Sequence, residues 1–118
     1  MVRAALVVLA GTEVREGLGR VVNALVTAKE LAESGDEAVV VFDGAGTQWI
    51  PALADEDHRY HALFEQARPA IRGACDYCAQ AYGVRDEVEA AGVRLLDDYD
   101  RHPSLRSFLA QGYDVVTF

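Results

Sequence analysis

The chain begins with two apolar runs on either side of a long amphipathic segment. Ala4–Ala10 is almost continuously apolar, which is typical of a strand buried on both faces of a parallel sheet. From Val14 onward, apolar residues recur at steps of three and four, and Gly35 follows as a helix stop. Glu37–Phe42 is a second apolar run, closed by an Asp-Gly turn signal. This order predicts a βαβ unit and therefore a parallel sheet covered by helices.

The rest of the chain continues the alternation of strands and helices. Further strands are expected at Ala70–Ala74, Val93–Leu96 and Tyr113–Phe118. Helices are expected in a short segment from Trp49 to Pro51 capped by Thr47, and at Asp57–Arg68, Ala79–Tyr82, Arg85–Ala91 and Pro103–Gln111. The pattern predicts one domain over residues 1–118, an α/β fold built as a three-layer α/β/α sandwich with a mainly parallel five-stranded sheet.

Composition narrows the classes of function. The 118 residues are 51% hydrophobic and 25% charged, which is enough for one domain with a real core. The net charge is -8 and Lys29 is the single lysine, so direct binding to nucleic acid or to an anionic membrane is not expected. The first apolar run is about seven residues long, too short to span a bilayer, and no signal-peptide cleavage pattern follows it. The sequence therefore predicts a cytoplasmic protein without a membrane segment.

The two cysteines, Cys75 and Cys78, lie where a predicted strand gives way to a predicted helix. Unpaired N–H groups at a helix start favour a thiolate, and ligands of such sheets gather at the carboxyl ends of the strands. We therefore expect chemistry first at Cys75 and then at Cys78, with Asp76 opposing ionisation of Cys75. In a reducing cytosol, free thiols, a redox couple or metal ligands are favoured over a structural disulfide. A buried cysteine that serves only as a small hydrophobe remains an alternative.

Four turns are predicted at that edge of the sheet: Gly11-Thr12, Asp43–Thr47, Cys75–Cys78 and Asp97–His102. A metal is the weakest of the interpretations, because a closed zinc site usually has four ligands and the three histidines would have to complete one cysteine pair. His58 and His61 have a helical i, i+3 spacing, but a solvated helix start explains them better than metal ligation does. His61 is kept as a candidate neighbour of the cysteines.

A nucleotide cofactor is not expected. Gly11, Gly17 and Gly19 follow the first strand, but they do not form the Gly-x-Gly-x-x-Gly turn, and no Gly-Lys-Ser or Gly-Lys-Thr occurs. Because Gly17 and Gly19 fall within the helical period, they are predicted to allow close packing of the first helix. No cofactor of any class is predicted.

Several local features are shared with one known family. They are the opening strand and long helix, the strand ending in Cys75, the Ala79-Gln80-Ala81 helix, Gly83-Val84 eight positions after Cys75, Gly92-Val93, and the closing Ser104-Leu105 to Gly112–Phe118. In these the chain resembles the DsrE/DsrF-like (YchN-like) family of small α/β proteins, which includes subunits of bacterial sulfur-relay complexes. The resemblance implies a DsrE-like fold, a persulfide-carrying cysteine at Cys75, a trimeric or hexameric homo-oligomer, and a sulfur-donor or sulfur-acceptor protein as partner.

Cys78 is not a general feature of that family. Its presence opens a resolving or dithiol role beside Cys75. We therefore expect a cytoplasmic sulfur carrier that accepts a persulfide on Cys75, with Cys78 as its resolving partner and without turnover of its own. The alternatives are a thiol redox protein that uses the Cys-x-x-Cys dithiol, or a ligand-binding or structural oligomer with inert cysteines.

Overall fold

The computed structural model describes residues 1–118. Strands and helices alternate along the chain, with short 3-10 helices at Gly44–Gln48 and Arg68–Ala70. The strands are β1 Arg3–Val8, β2 Glu37–Phe42, β3 Ile71–Cys75, β4 Leu95–Leu96 and β5 Asp114–Thr117. The α-helices are α1 Arg15–Glu33, α2 Trp49–Ala54, α3 His61–Ala67, α4 Asp76–Ala81, α5 Arg85–Ala90 and α6 Leu105–Ala110. None of the helices has the length and apolar character needed to cross a membrane.

The five strands form one sheet in the order β4-β3-β2-β1-β5, and every pairing is parallel. Helices cover both of its faces, which confirms the predicted α/β fold and its three layers. The chain moves outward from β1 through β2 and β3 to β4, and then returns to place β5 on the other side of β1. The carboxyl ends of β2, β3 and β4 are therefore neighbours at one edge of the sheet.

The central strand β1 divides the core between the two faces, because successive side chains of a strand point in opposite directions. Leu6 and Val8 belong to a cluster of 18 buried residues beneath α1, α2, α3 and α5. Ala5 and Val7 belong to a cluster of 7 on the other face, which Phe108 of α6 completes. The continuous apolar character of this segment is thus explained by burial on both faces.

The two glycines of the first helix differ in their surroundings. A Cβ added at Gly17 would lie 2.0 Å from the carbonyl oxygen of Gly11, whereas a Cβ added at Gly19 would meet nothing within 4 Å. Close packing is therefore confirmed at Gly17 and wrong at Gly19.

The segment between β2 and β3 departs most from the sequence-based prediction. The helix predicted at Asp57–Arg68 begins only at His61, because side chains before it bond to the backbone: Asp55 accepts the N–H of Asp57 at 2.9 Å and His58 accepts that of Tyr60 at 3.0 Å. Such local bonds compete with helical ones. Thr47 caps no helix either. Its hydroxyl donates to the Gly44 carbonyl within a 3-10 helix that Asp43 caps.

Candidate functional site

Four side chains that are distant in sequence meet beyond the carboxyl ends of β2, β3 and β4. They are Asp43, Cys75, Cys78 and His102, and one carboxylate oxygen, two sulfurs and one imidazole nitrogen from them all lie within 4.8 Å of one another. We call this group the thiol cluster. Three of the four turns predicted at this edge contribute to it.

Asp43 follows the last residue of β2 and is fixed by its own backbone. Its N–H donates to the Val8 carbonyl at 2.9 Å, and its carboxylate oxygen Oδ1 accepts the N–H of Gly44 at 2.8 Å. The turn behind it packs directly on β1, since a Cβ added at Gly46 would lie 2.1 Å from the Val8 carbonyl oxygen. The carboxylate therefore has a defined position against the cysteines.

Cys75 is the last residue of β3 and is fully buried, with 0% of its surface exposed. Its sulfur lies 3.2 Å from Nδ1 of His102 and accepts the backbone N–H of Cys78 at 3.4 Å. The pKa of Cys75 is raised to about 12, and burial is the largest cause. The Cys78 thiol and the charge of Asp43 also raise this pKa, whereas the hydrogen bond from the Cys78 N–H lowers it. The thiolate that a helix start favours is therefore opposed at Cys75, because desolvation of the buried sulfur outweighs the effect of the helix start.

Cys78 lies in the first turn of α4 and is partly exposed. Its thiol donates a hydrogen bond to Oδ1 of Asp43 at 3.5 Å. Of the two cysteines, Cys78 is therefore the one with surface exposed to solvent.

His102 reaches Cys75 from a tight turn that begins at Tyr99. The N–H groups of these two residues donate to each other's carbonyl oxygens at 2.9 and 2.8 Å. The central residues, Asp100 and Arg101, have positive φ angles of 48° and 65°, the pattern of a type I′ turn. A left-handed conformation costs a residue with a side chain about 1 kcal/mol or more, so other contacts must hold this turn in place.

Those contacts come from the start of α4. The N–H of Tyr77 donates to the Arg101 carbonyl at 3.0 Å, and the Tyr77 ring packs on the His102 imidazole with 5.0 Å between ring centroids. The Arg101 guanidinium bonds to Asp76 at 3.0 Å. These three contacts hold the turn against α4, the helix that carries Cys78.

Asp76 is paired with two arginines, Arg85 and Arg101, each at 3.0 Å. Burial acts to raise the pKa of this carboxyl, but the two guanidinium groups outweigh burial and hold the pKa below its usual range. Asp76 was expected to disfavour a thiolate at Cys75, yet the carboxylate charge that acts on that sulfur is the one on Asp43.

The other two histidines lie outside the thiol cluster. His61 Nδ1 bonds to the Leu53 carbonyl at 2.8 Å, and His58 Nδ1 accepts a backbone N–H. The expectation that His61 neighbours the cysteines is therefore wrong, and the helical i, i+3 spacing with His58 does not form. The sequence reasoning missed Asp43 and His102 as partners of the cysteines. The signal that could have found them was their position in turns at the same edge of the sheet.

The fold and the site together define a three-layer α/β protein with two thiols, a carboxylate and an imidazole at the carboxyl edge of its sheet. No family model matches the chain. The uncharacterized protein MJ0733 of Methanocaldococcus jannaschii is 30% identical over 92 residues, which are 78% of this chain and 74% of that protein. The chain belongs to the family of MJ0733.

A solved structure from another organism shares the fold. It is a conserved protein of unknown function, BT1422 from Bacteroides thetaiotaomicron, with a TM-score of 0.64 at 15% sequence identity; the match covers 97% of this chain and 94% of that chain. At this identity the likeness concerns the fold alone.

Proposed function

We propose that this protein is a small sulfur carrier that accepts a sulfane sulfur on a cysteine, and that Cys78 rather than Cys75 receives it. The observation that carries the proposal is the difference in exposure within the pair: Cys78 is partly exposed, whereas Cys75 is fully buried. A sulfur donor must reach the accepting atom, and Cys78 offers the approach. This exchanges the two roles that the sequence alone suggests.

The transfer itself balances without any net oxidation. The Cys78 sulfur attacks the outer sulfur of a donor persulfide, a new S–S bond forms, and the S–S bond of the donor breaks. The donor sulfur leaves with the electron pair and takes up a proton, while Cys78 loses the proton of its thiol. The same steps in reverse pass the sulfur to an acceptor thiol.

The remaining cluster residues have supporting roles in this proposal. Asp43 accepts the hydrogen bond of the Cys78 thiol and so orients the sulfur. Cys75 lies behind Cys78, where it can attack the inner sulfur of a Cys78 persulfide and resolve it to a disulfide with release of hydrogen sulfide. The imidazole of His102 lies beside the Cys75 sulfur, with 3.2 Å between Nδ1 and Sγ.

A partner protein would approach beside Cys78. An open cleft of about 310 Å³ is lined by Tyr77, Gln80, Ala81 and Arg101. Tyr77 also holds the turn that carries His102, and Arg101 is part of that turn. The resemblance to DsrE-like proteins supports a cytoplasmic homo-oligomer, a trimer or hexamer, that meets a sulfur-donor or sulfur-acceptor protein. Light scattering of the purified chain tests the assembly.

Mass spectrometry after incubation with a persulfide donor tests the proposal, in a buffer that contains a metal chelator. We expect one added sulfur in Cys75→Ser, none in Cys78→Ser, and in the wild type the added sulfur together with the Cys75–Cys78 disulfide that its resolution leaves. His61→Gln serves as a matched control, because His61 lies outside the cluster, and it should gain the same sulfur. A sulfur that persists in Cys78→Ser and disappears in Cys75→Ser would return the role to Cys75. No added sulfur in any chain would contradict the carrier function.

A dithiol redox function is the second candidate, because the two sulfurs lie within 4.8 Å of each other. Here an external disulfide oxidises the pair: the two thiols lose two electrons and two protons, an intramolecular S–S bond forms, and the external disulfide is reduced to two thiols. Titration in glutathione buffers, followed by mass spectrometry, should then give a single reversible transition. A pair that stays reduced throughout would exclude this candidate.

A further inference from the structure

We propose that Asp43, Cys75, Cys78 and His102 form a binding site for a divalent transition-metal ion, with zinc as the ion that fits best. A metal ion at the thiol cluster needs no sulfur transfer, so metal binding and the carrier function are independent properties.

The set of donor atoms is the first argument. Two sulfurs, one imidazole nitrogen and one carboxylate oxygen are the atom types that zinc takes from proteins, and four of them complete a closed tetrahedral site. Magnesium and calcium take oxygen ligands almost exclusively, so two sulfurs disfavour them. A carboxylate beside the sulfurs favours zinc over a softer ion such as Cu(I).

The distances are the second argument. Zinc bonds of about 2.3 Å to sulfur and about 2.0–2.1 Å to nitrogen or oxygen place two tetrahedral ligands about 3.6 Å apart when one is sulfur, and about 3.8 Å apart when both are. Cys75 Sγ lies 3.2 Å from His102 Nδ1, and Cys78 Sγ lies 3.5 Å from Asp43 Oδ1. Because no pair of the four atoms exceeds 4.8 Å, closure by about 1 Å brings all of them to one ion.

Electrostatics are the third argument. Ionised, the two thiols and Asp43 would gather three negative charges within this small volume. Arg101, which precedes His102 in its turn, is already paired with Asp76, and so is Arg85. A divalent cation would offset two of the three charges, which is the role that such ions play among thiolates.

The surroundings hold the ligands as metal sites require. Asp43 is fixed by the Gly44 N–H, and Cys75 accepts the Cys78 N–H at its sulfur. His102 is carried by a turn that is clasped to α4, so its imidazole faces the sulfur without a flexible linker. The partial exposure of Cys78 supplies the entry path for an ion.

Titration of the full-length reduced chain with Co²⁺, after treatment with a chelator, tests the site. We expect binding of one Co²⁺ per chain, with a thiolate-to-cobalt charge-transfer band and the intense visible bands of tetrahedral cobalt. One equivalent of Zn²⁺ should abolish these bands, and zinc binding should release about two protons, one from each thiol. Binding without a charge-transfer band would overturn the proposal.

Variants assign the ligands one by one. Asp43→Asn and His102→Asn should weaken Zn²⁺ binding at least tenfold in competition with a chromophoric chelator, and Cys78→Ser should abolish the charge-transfer contribution of its sulfur. His61→Gln and Asp55→Asn are matched controls of the same residue types outside the cluster, and they should bind as the wild type does. Circular dichroism checks that each variant is folded. Equal affinity in Asp43→Asn, His102→Asn and the wild type would show that the cluster is only a hydrogen-bonded set of thiols.

A second arm links the metal to the proposed function. If Cys78 accepts sulfur, prior loading with Zn²⁺ should suppress the added sulfur in mass spectrometry, and a chelator should restore it. Because the cobalt titration contains no sulfur donor, metal binding without sulfur acceptance contradicts the carrier function alone, and sulfur acceptance without metal binding contradicts the metal site alone.

Discussion

The burial of Cys75 predicts that its thiol reacts far more slowly in the folded chain than in the unfolded one. Alkylation requires the thiolate, and the pKa of Cys75 is raised from the ordinary value of 9.0 to about 12. At pH 8 the raised pKa lowers the thiolate fraction roughly a thousandfold below that of an ordinary cysteine. Steric exclusion of the reagent from a fully buried sulfur acts in the same direction.

The measurement uses Cys78→Ser, in which Cys75 is the only thiol and the serine keeps a hydroxyl in place of the second thiol. We expect iodoacetamide, in chelator-containing buffer at pH 8, to label the folded chain at least about a hundredfold more slowly than the urea-unfolded chain, since loss of the Cys78 side chain removes part of the shift. In the folded chain the rate should rise about tenfold per pH unit toward pH 11, whereas in the unfolded chain it should level off above pH 9. Cys75→Ser is the control, in which the partly exposed Cys78 should be slowed by less than tenfold. Labelling of Cys75 within tenfold of its unfolded rate would refute the reasoning.

Two predictions concern stability. Gly17→Ala should lower the free energy of unfolding by about 3 kcal/mol or more, because the added Cβ would lie 2.0 Å from a backbone oxygen. Gly19→Ala should raise the free energy of unfolding by up to about 1 kcal/mol, because its Cβ would meet nothing within 4 Å. Urea denaturation that gives both variants a change of the same sign would contradict the close packing at Gly17. Asp76 has a lowered pKa in the folded chain, so its contribution is present above the unfolded pKa of about 4 and is lost as the pH falls through the folded pKa. Since both arginine partners are half exposed, Asp76→Asn should lower the free energy of unfolding at pH 7 by only about 1 kcal/mol. The loss of stability toward acid pH should also become less steep in this variant. An unchanged dependence of stability on pH would show that the two ion pairs contribute nothing.

The layers of the fold could be predicted from the sequence because they depend on periodicity. The continuous apolar character of residues 4–10 and the spacing in α1 indicate which side chains are buried, and the structure confirms the α/β sandwich. The start of α3 could not be predicted, because bonds from the Asp55 and His58 side chains to the backbone replace the first helical turn.

The site was only half predictable for a different reason. The cysteine pair and the sheet edge follow from the chain itself, but the burial of Cys75 depends on the turn that carries His102. That turn covers Cys75 because β4 pairs with β3, and strand order is not contained in local periodicity. For the same reason His61, which lies in the connection between the second and third strands, was wrongly predicted to neighbour the cysteines.

The parallel order of β2, β3 and β4 sets the spacing of the residues that follow these strands. Neighbouring strands lie about 4.8 Å apart, so residues that end adjacent strands start out separated by little more than the span between ligands of one ion. Under the proposed functions, a substitution at residue 43, 75, 78 or 102 would remove one group of the thiol cluster without changing the order of the strands. A homologue with the same fold would therefore share the proposed chemistry only if it keeps these four side chains.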